Sequence, residues 1–208
     1  MRIELLKTSP DRAGRYLVKF DDDSSMRLYR QTVEDFALYT GKELSDEEMR
    51  SLRTAAGQMS AKMRAVRIVS ASSVSKGDLE RRLIRKGEDP GQAREAVAWM
   101  EDLRLVDDRN MAEAVVHSCI AKGYGLQRAK QALYEKRIPK EYWEEALSDY
   151  PDQLEHIEKF LRSRLDEESD ERQIKKAIDA LLRRGHSYRI IRQALSNVSV
   201  DTDEFPEE

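Results

Sequence analysis

The chain has 208 residues, 39% hydrophobic and 37% charged, with 37 basic and 40 acidic side chains and a net charge of −3. Ordinary globular chains run at about 45–50% apolar and about 25% charged, so a single thick core is excluded and thin helical layers with a large wetted surface are favoured. The near-neutral balance excludes a uniformly basic nucleic-acid binder but leaves room for a local basic face, and the single cysteine, Cys119, excludes a disulfide framework and a cysteine zinc site.

No run approaches the roughly 18 apolar residues of a membrane span. The opening MRIELLKTSPDRAG lacks the apolar stretch of a signal peptide. The expected location is the cytoplasm.

Residues 1–30 read as strands. In RYLVKF, Tyr16, Val18 and Phe20 fall on one face and Leu17 and Lys19 on the other. Asp21 to Ser25 is turn chemistry, and MRLYR returns with Met26 and Leu28 alternating against Arg27. A three-strand antiparallel unit of this size needs a helix to pack on. A short helix begins near Thr32 and is expected to stop at Gly41. Ser45 and Glu48 form a capping box. Behind it Met49, Leu52, Ala56, Met59, Met63 and Val66 recur at spacings of 3 and 4, one apolar stripe on a long helix, read as core packing.

From residue 72 onward the chain is helical and repeats. Leu79–Val97, Ala129–Leu147 and Ala177–Leu195 superpose without gaps at shifts of 50 and 98 residues. Leu83, Leu133 and Leu181 coincide, as do Ala96, Ala146 and Ala194, and the column Lys86, Lys136, Arg184 stays cationic. Each segment is helix, break, helix. Gly87 and Gly185 can take positive φ after a helix end, Asp89 and Ser187 cap the next helix, and Pro139 stands at that position in the second copy without a capping oxygen. A third helix follows the first pair, opened by Asp107-Asp108 and carrying Met111, Ala114, Val115, Ser118 and Cys119 on one face, and ends at Gly123-Tyr124-Gly125. Another follows the second pair, beginning at Pro151 with Leu154, Ile157, Leu161 and Leu165.

The expected fold is therefore mainly α: an elongated, curved array of tandem three-helix repeats with a small N-terminal antiparallel β unit. The expected units are 1–71 (strands plus long helix), 72–122 and 123–168 (repeats 1 and 2), 169–198 (a truncated repeat 3) and 199–208 (an acidic tail).

No catalytic constellation stands out. His117 and Cys119 sit two apart on one helix and point apart. Asp107-Asp108 reads as a helix cap rather than a metal site. Gly123-Tyr124-Gly125 lacks the spacing and lysine of a phosphate loop, and Tyr124 reads as loop cover rather than a stacking platform. No enzyme, cofactor or metal is expected. Charge is uneven: residues 149–171 hold nine acids against three bases, and residues 172–195 hold seven bases against one acid. That dipolar layout suits an assembly carrying both protein and polyanion.

The segments SKGDLERRLIRKGEDP (75–90), RLVDDRNMAEAVVHS (104–118) and KGYGLQRAKQAL (122–133) resemble the RecX family of recombination regulators. Leu105-Val106-Asp107-Asp108, Ala112-Glu113-Ala114 and Gly123-Tyr124-Gly125 match the family pattern in order and spacing. Met111 and Val115 replace the usual aromatic residues, and Ser72-Ser73-Val74 replaces a more basic approach to the first repeat. The resemblance implies three tandem three-helix repeats that lie in the groove of the RecA–single-stranded DNA filament. It implies a role in homologous recombination, DNA repair and the SOS response, limiting recombinase, ATPase and coprotease activity. The implied partners are the recombinase filament and single-stranded DNA, contacted directly or through the filament; no membrane partner and a monomeric chain are expected. Arg85, Lys86, Lys122, Arg128, Lys136, Arg183, Arg184, Arg189 and Arg192 are the expected filament or phosphate contacts. A helix-turn-helix DNA-binding regulator and a helical protein-interaction scaffold are the alternatives.

Overall fold

Alternating Val18 and Phe20 turn one face of a short sheet inward, and everything in the N-terminal region follows from covering that face. The computed structural model describes residues 1–9, 14–166 and 169–198. These form two compact units, one over Met1–Val106 and the other starting at Asp107. The expected tail at 199–208 lies outside the described residues, as do Glu167 and Glu168 of the acidic run.

In the first unit, β1 (Ile3–Thr8), β2 (Arg15–Phe20) and β3 (Ser25–Tyr29) form an antiparallel sheet in that order. Val18 pairs with Leu6 on one side and Met26 on the other. The β2–β3 turn is held by Asp22, whose carboxylate accepts from the Ser24 amide at 3.0 Å and hydroxyl at 2.5 Å. Ile3, Val18, Phe20 and Leu28 close a small core with Val33, Leu38, Leu44, Met49 and Leu52. The short helix α1 spans Arg30–Asp35 and ends well before Gly41, because Ala37 already takes a left-handed φ of 44°.

Helix α2 (Asp46–Ala71) begins at the Ser45–Glu48 capping box. The expected stripe holds over its front half, where Met49 and Leu52 are buried and Ala56 packs on the sheet core; further along, Met59 and Met63 are only half-buried, and Ala61, Ala65 and Ile68 are buried instead. The reason is close approach. Ala61 and Ala65 share a core with Ala93 and Ala96 of α4 (Pro90–Asp102), all four fully buried, and methyl side chains let two helix backbones draw near. The front of α2 thus serves the sheet core, and its rear serves a second core with α3 (Lys76–Arg85), where Leu79 and Leu83 are fully buried.

The second unit holds α5 (Asp108–Ala121), α6 (Leu126–Glu135), a 3-10 turn at Lys140–Tyr142, α7 (Trp143–Leu147), α8 (Gln153–Arg162), α9 (Glu171–Arg183) and α10 (Tyr188–Asn197). Asp107 caps α5 as expected, accepting from the Asn110 amide at 3.0 Å. The inward face of α5 is Ala112, Val116 and Cys119, whereas Ala114 and Ser118 are exposed. It packs with Leu133 and Ile138 against Trp143 and Leu147. A separate core joins Ile157 and Leu161 of α8 to Ile174, Ile178 and Leu181 of α9 and Ile191 and Leu195 of α10.

The cores regroup the helices. The sequence reading attached each third helix to the pair before it, giving units 72–122, 123–168 and 169–198. The packing attaches it to the pair after it: α2 with α3 and α4, α5 with α6 and α7, α8 with α9 and α10. The last set is consequently complete rather than truncated. An apolar stripe specifies which face of a helix is buried but not which neighbour buries it.

Candidate functional site

The superposed columns of the sequence are three copies of one turn. Lys86, Lys136 and Arg184 each end a helix as its C-cap. Gly87, Arg137 and Gly185 then take φ of 90°, 57° and 84°. Their amides donate to Ile84, Tyr134 and Leu182 at 2.9, 2.9 and 2.8 Å. The next amides, of Glu88, Ile138 and His186, donate to Leu83, Leu133 and Leu181 at 3.2, 3.1 and 3.2 Å. This is the paired 6→1 and 5→2 closure of a Schellman motif, three times over. Glu88, Ile138 and His186 are all buried. The residue two positions before each cationic C-cap points outward: Ile84, Tyr134 and Leu182 are 39%, 67% and 41% exposed.

The surroundings of the three turns differ. In the first set, Arg85 and Lys86 join Arg64, Arg67 and Arg82 around a hollow of about 410 Å³ whose other walls are Ile68, Ala71 and Ser72. Among the described residues no carboxylate lines it. Arg64 is tied to Glu88 at 2.7 Å and to the Lys86 carbonyl at 2.5 Å. Arg82 is tied to Asp78 at 2.7 Å and donates to the Ser72 hydroxyl at 3.3 Å. Arg67 donates to the Tyr29 hydroxyl at 3.2 Å. Asp78 is buried, which by itself raises its carboxyl, but hydrogen bonds from Arg81 and Arg82 outweigh burial and hold it below the ordinary value. The sequence reading found Arg85 and Lys86 and missed Arg64, Arg67 and Arg82. The signal for Arg64 and Arg67 was available: arginines three apart on α2, and so neighbours on one flank of that helix. The basic approach that Ser72-Ser73-Val74 lacks is supplied by the preceding helix.

In the third set, the turn is built into a joint. The Gly125 amide donates to the Arg184 carbonyl at 2.8 Å, and the Gln127 amide to the Gly185 carbonyl at 3.3 Å. A Cβ on Gly125 would stand 2.1 Å from the Gly185 carbonyl oxygen. His186 is held between the Gly123 carbonyl, 3.2 Å from Nε2, and the Gln153 carboxamide, 2.9 Å from Nδ1. Burial is the main cause that lowers the pKa of its ring; the hydrogen bond to the Gly123 carbonyl opposes this, while His156, stacked 6.1 Å away, and Arg184 push the same way as burial. Tyr150 donates to the Tyr124 carbonyl at 2.7 Å, and burial pushes its hydroxyl up to about 12. Tyr124 is half-buried in the hollow of about 290 Å³ beside Tyr150, Pro151 and His156.

The remaining expected contacts are dispersed. Arg189 and Arg192 flank Tyr188 on α10 in a depression of about 640 Å³. Arg183 is exposed at the end of α9, and Arg184 lies over the Phe160 ring at 5.0 Å, next to Arg164 at 4.6 Å. Lys122 is exposed as the C-cap of α5, and Arg128 is exposed 3.8 Å from Glu135. The structure thus brings together Arg85 with Lys86 and Arg189 with Arg192, and leaves Lys122, Arg128 and Lys136 on other surfaces.

Cys119 is buried, which raises its thiol, while His117 is exposed. Among the described residues no group of three His, Cys, Asp or Glu could hold a metal ion, and no helix is long and apolar enough to cross a membrane.

Comparison with known proteins places this geometry. Residues 107–147 match the model of the RecX second three-helix domain, which spans α5, α6 and α7 and so agrees with the packing. Over 210 residues the chain is 25% identical to the regulatory protein RecX of Clostridioides difficile, covering 98% of this chain and 97% of that one. It is 31% identical over 134 residues to the regulatory protein RecX of Xanthomonas citri, 63% of this chain and 83% of that one. The crystal structure of RecX from Lactobacillus salivarius superposes with a TM-score of 0.57 at 26% identity, over 69% of this chain and 97% of that one. Another, of regulatory protein RecX, gives 0.64 over 94% of this chain and 98% of that one; at 20% identity it speaks to the fold. The chain belongs to the RecX family of regulatory proteins.

Proposed function

We propose that this protein is a non-enzymatic regulator that binds the groove of a RecA–single-stranded DNA filament and limits its recombinase, ATPase and coprotease activity. The observation that carries this reading is the triplicated helix end. Ile84, Tyr134 and Leu182 occupy one position in three equivalent Schellman turns, and each is exposed beside a cationic C-cap. Large apolar side chains left in water at a repeated position suit a partner that itself repeats, each anchor meeting a corresponding patch on one subunit. The dispersed cations Lys122, Arg128, Lys136, Arg183, Arg189 and Arg192 would supply electrostatic steering towards a polyanionic assembly.

The test is ATP hydrolysis by recombinase-coated single-stranded DNA. Stoichiometric addition of this protein lowers the rate, and the triple variant Ile84→Asp, Tyr134→Asp, Leu182→Asp restores it. An unchanged rate with the unmodified protein overturns the proposal.

A further inference from the structure

We infer that the hollow between α2 and α3 is a binding site for the phosphodiester backbone of single-stranded DNA. This deepens the filament reading by placing direct nucleic-acid contact in the first unit. Five cations, Arg64, Arg67, Arg82, Arg85 and Lys86, converge on it, and among the described residues no carboxylate lines it. Helix-dipole compensation explains some of these: Arg82 and Arg85 lie in the last turn of α3, where a cation is favourable. It does not explain Arg64 and Arg67, because the last turn of α2 holds no basic residue and both stand further back. Glu88 and Asp78 sit behind the hollow and partner Arg64 and Arg82, fixing those guanidinium planes. Arg67, Arg85 and Lys86 form no ion pair among the described residues, and all three are exposed. The site therefore has two oriented guanidiniums and three cations with charge to spare. Planar guanidinium forks match phosphate oxygens two at a time, and the Ser72 hydroxyl adds a donor at the rim. An acidic protein surface is the lesser fit, since the apolar lining is confined to Ile68 and Ala71 and offers no large anchor.

The test uses the full chain and a fluorescein-labelled oligo-dT strand, read by anisotropy across a salt series without recombinase. The triple reversal Arg67→Glu, Arg85→Glu, Lys86→Glu should weaken binding about tenfold or more and flatten the log–log salt slope by about 2, at roughly 0.7 per lost phosphate contact. A reversal of equal charge on the sheet, Lys7→Glu, Lys19→Glu, Arg27→Glu, tests for mere net charge; all three are exposed and its loss should be several-fold smaller. The neutral set Arg67→Ala, Arg85→Ala, Lys86→Ala guards against misfolding and should give an intermediate loss. No binding by the unmodified chain, equal losses in both reversals, or tighter binding to polyglutamate than to oligo-dT overturns the inference. The outcome is separable from the filament reading: DNA binding lost with ATPase inhibition kept leaves both standing, and DNA binding without any effect on the recombinase removes only the filament reading.

Discussion

The turn at Gly87 and the turn at Gly185 share a backbone and differ in employment. Around Gly87 there is open space: a Cβ would meet nothing within 4 Å. Around Gly185 a Cβ would lie 2.5 Å from the Arg128 amide nitrogen, because the start of α6 is seated on the turn. One copy leaves its cations in water around an anion-sized hollow; the other folds its carbonyls and histidine into the joint between helix sets. A duplicated motif can thus be divided between recognition and assembly with no change in its own hydrogen bonds. What separates the two is the next element along, not the turn.

Glycine substitutions should break this contrast most visibly. Gly125→Ala sets a methyl against the Gly185 backbone, which no side-chain rotation relieves, and should destabilise the second unit by about 3 kcal/mol or more, or prevent its folding. Gly87→Ala suffers only the strain of φ 90°, about 1–2 kcal/mol. Urea unfolding of the two variants measures the gap, and equal losses would mean the joint does not hold the turn. Next in size is Asp78→Ala, which strands Arg81 and Arg82 beside a buried vacancy. Both arginines are partly in water, 47% and 30% exposed, so the cost should be about 2 kcal/mol, below that of breaking a fully buried pair. The same variant frees Arg82 and should disturb anion binding in the hollow.

Acid should separate the two turns as well. His186 has a folded pKa below its ordinary 6.5, so the unfolded chain binds the proton more readily. Stability of the second unit is therefore full above that value and is lost as pH falls through the window beneath it. His186→Gln should flatten this dependence, seen as a smaller drop in Tm between pH 7 and pH 5.5. Residues 1–106 contain no histidine, so this fall should spare the first unit.

Much of this was legible from residue order. The alternation in RYLVKF, the Ser45 box, the caps at Asp89, Asp107 and Ser187, and the register of the three copies are local properties, and local hydrogen bonding decides them. The pairing of helices was not legible. Ala61 and Ala65 are core residues because α4 presents Ala93 and Ala96 opposite them, a fact about two distant stretches at once. Met59 and Met63, judged on hydrophobicity alone, outrank those alanines and mislead, while Met49 and Leu52 at the front of the same stripe are buried as expected. The Gly123-Tyr124-Gly125 run was visible as a helix end, yet its tightest constraint comes from a carbonyl at position 185. The arginine hollow was half legible: Arg85 and Lys86 follow from the repeat column, whereas Arg64 and Arg67 enter from a helix outside the repeat as first drawn.

The smallest effect sharpens the comparison from its middle member. Arg137 takes φ 57° where the other copies place glycine, and a β-carbon there opposes the left-handed conformation by about 1 kcal/mol. Its side chain is exposed, so Arg137→Gly removes strain without removing packing. Against that relief stands the extra freedom glycine gains in the unfolded chain, which offsets part of it. The net should be a stabilisation of about 0.5 kcal/mol, read as a small rise in urea midpoint with an unchanged slope. The turn's geometry is set by Ile138 docking under Leu133, not by the residue at its apex, so the glycine variant should keep the same fold and the same exposed Tyr134. A loss of stability instead would show that the guanidinium holds the second turn in place, and that each of the three copies is tied down by a different neighbour.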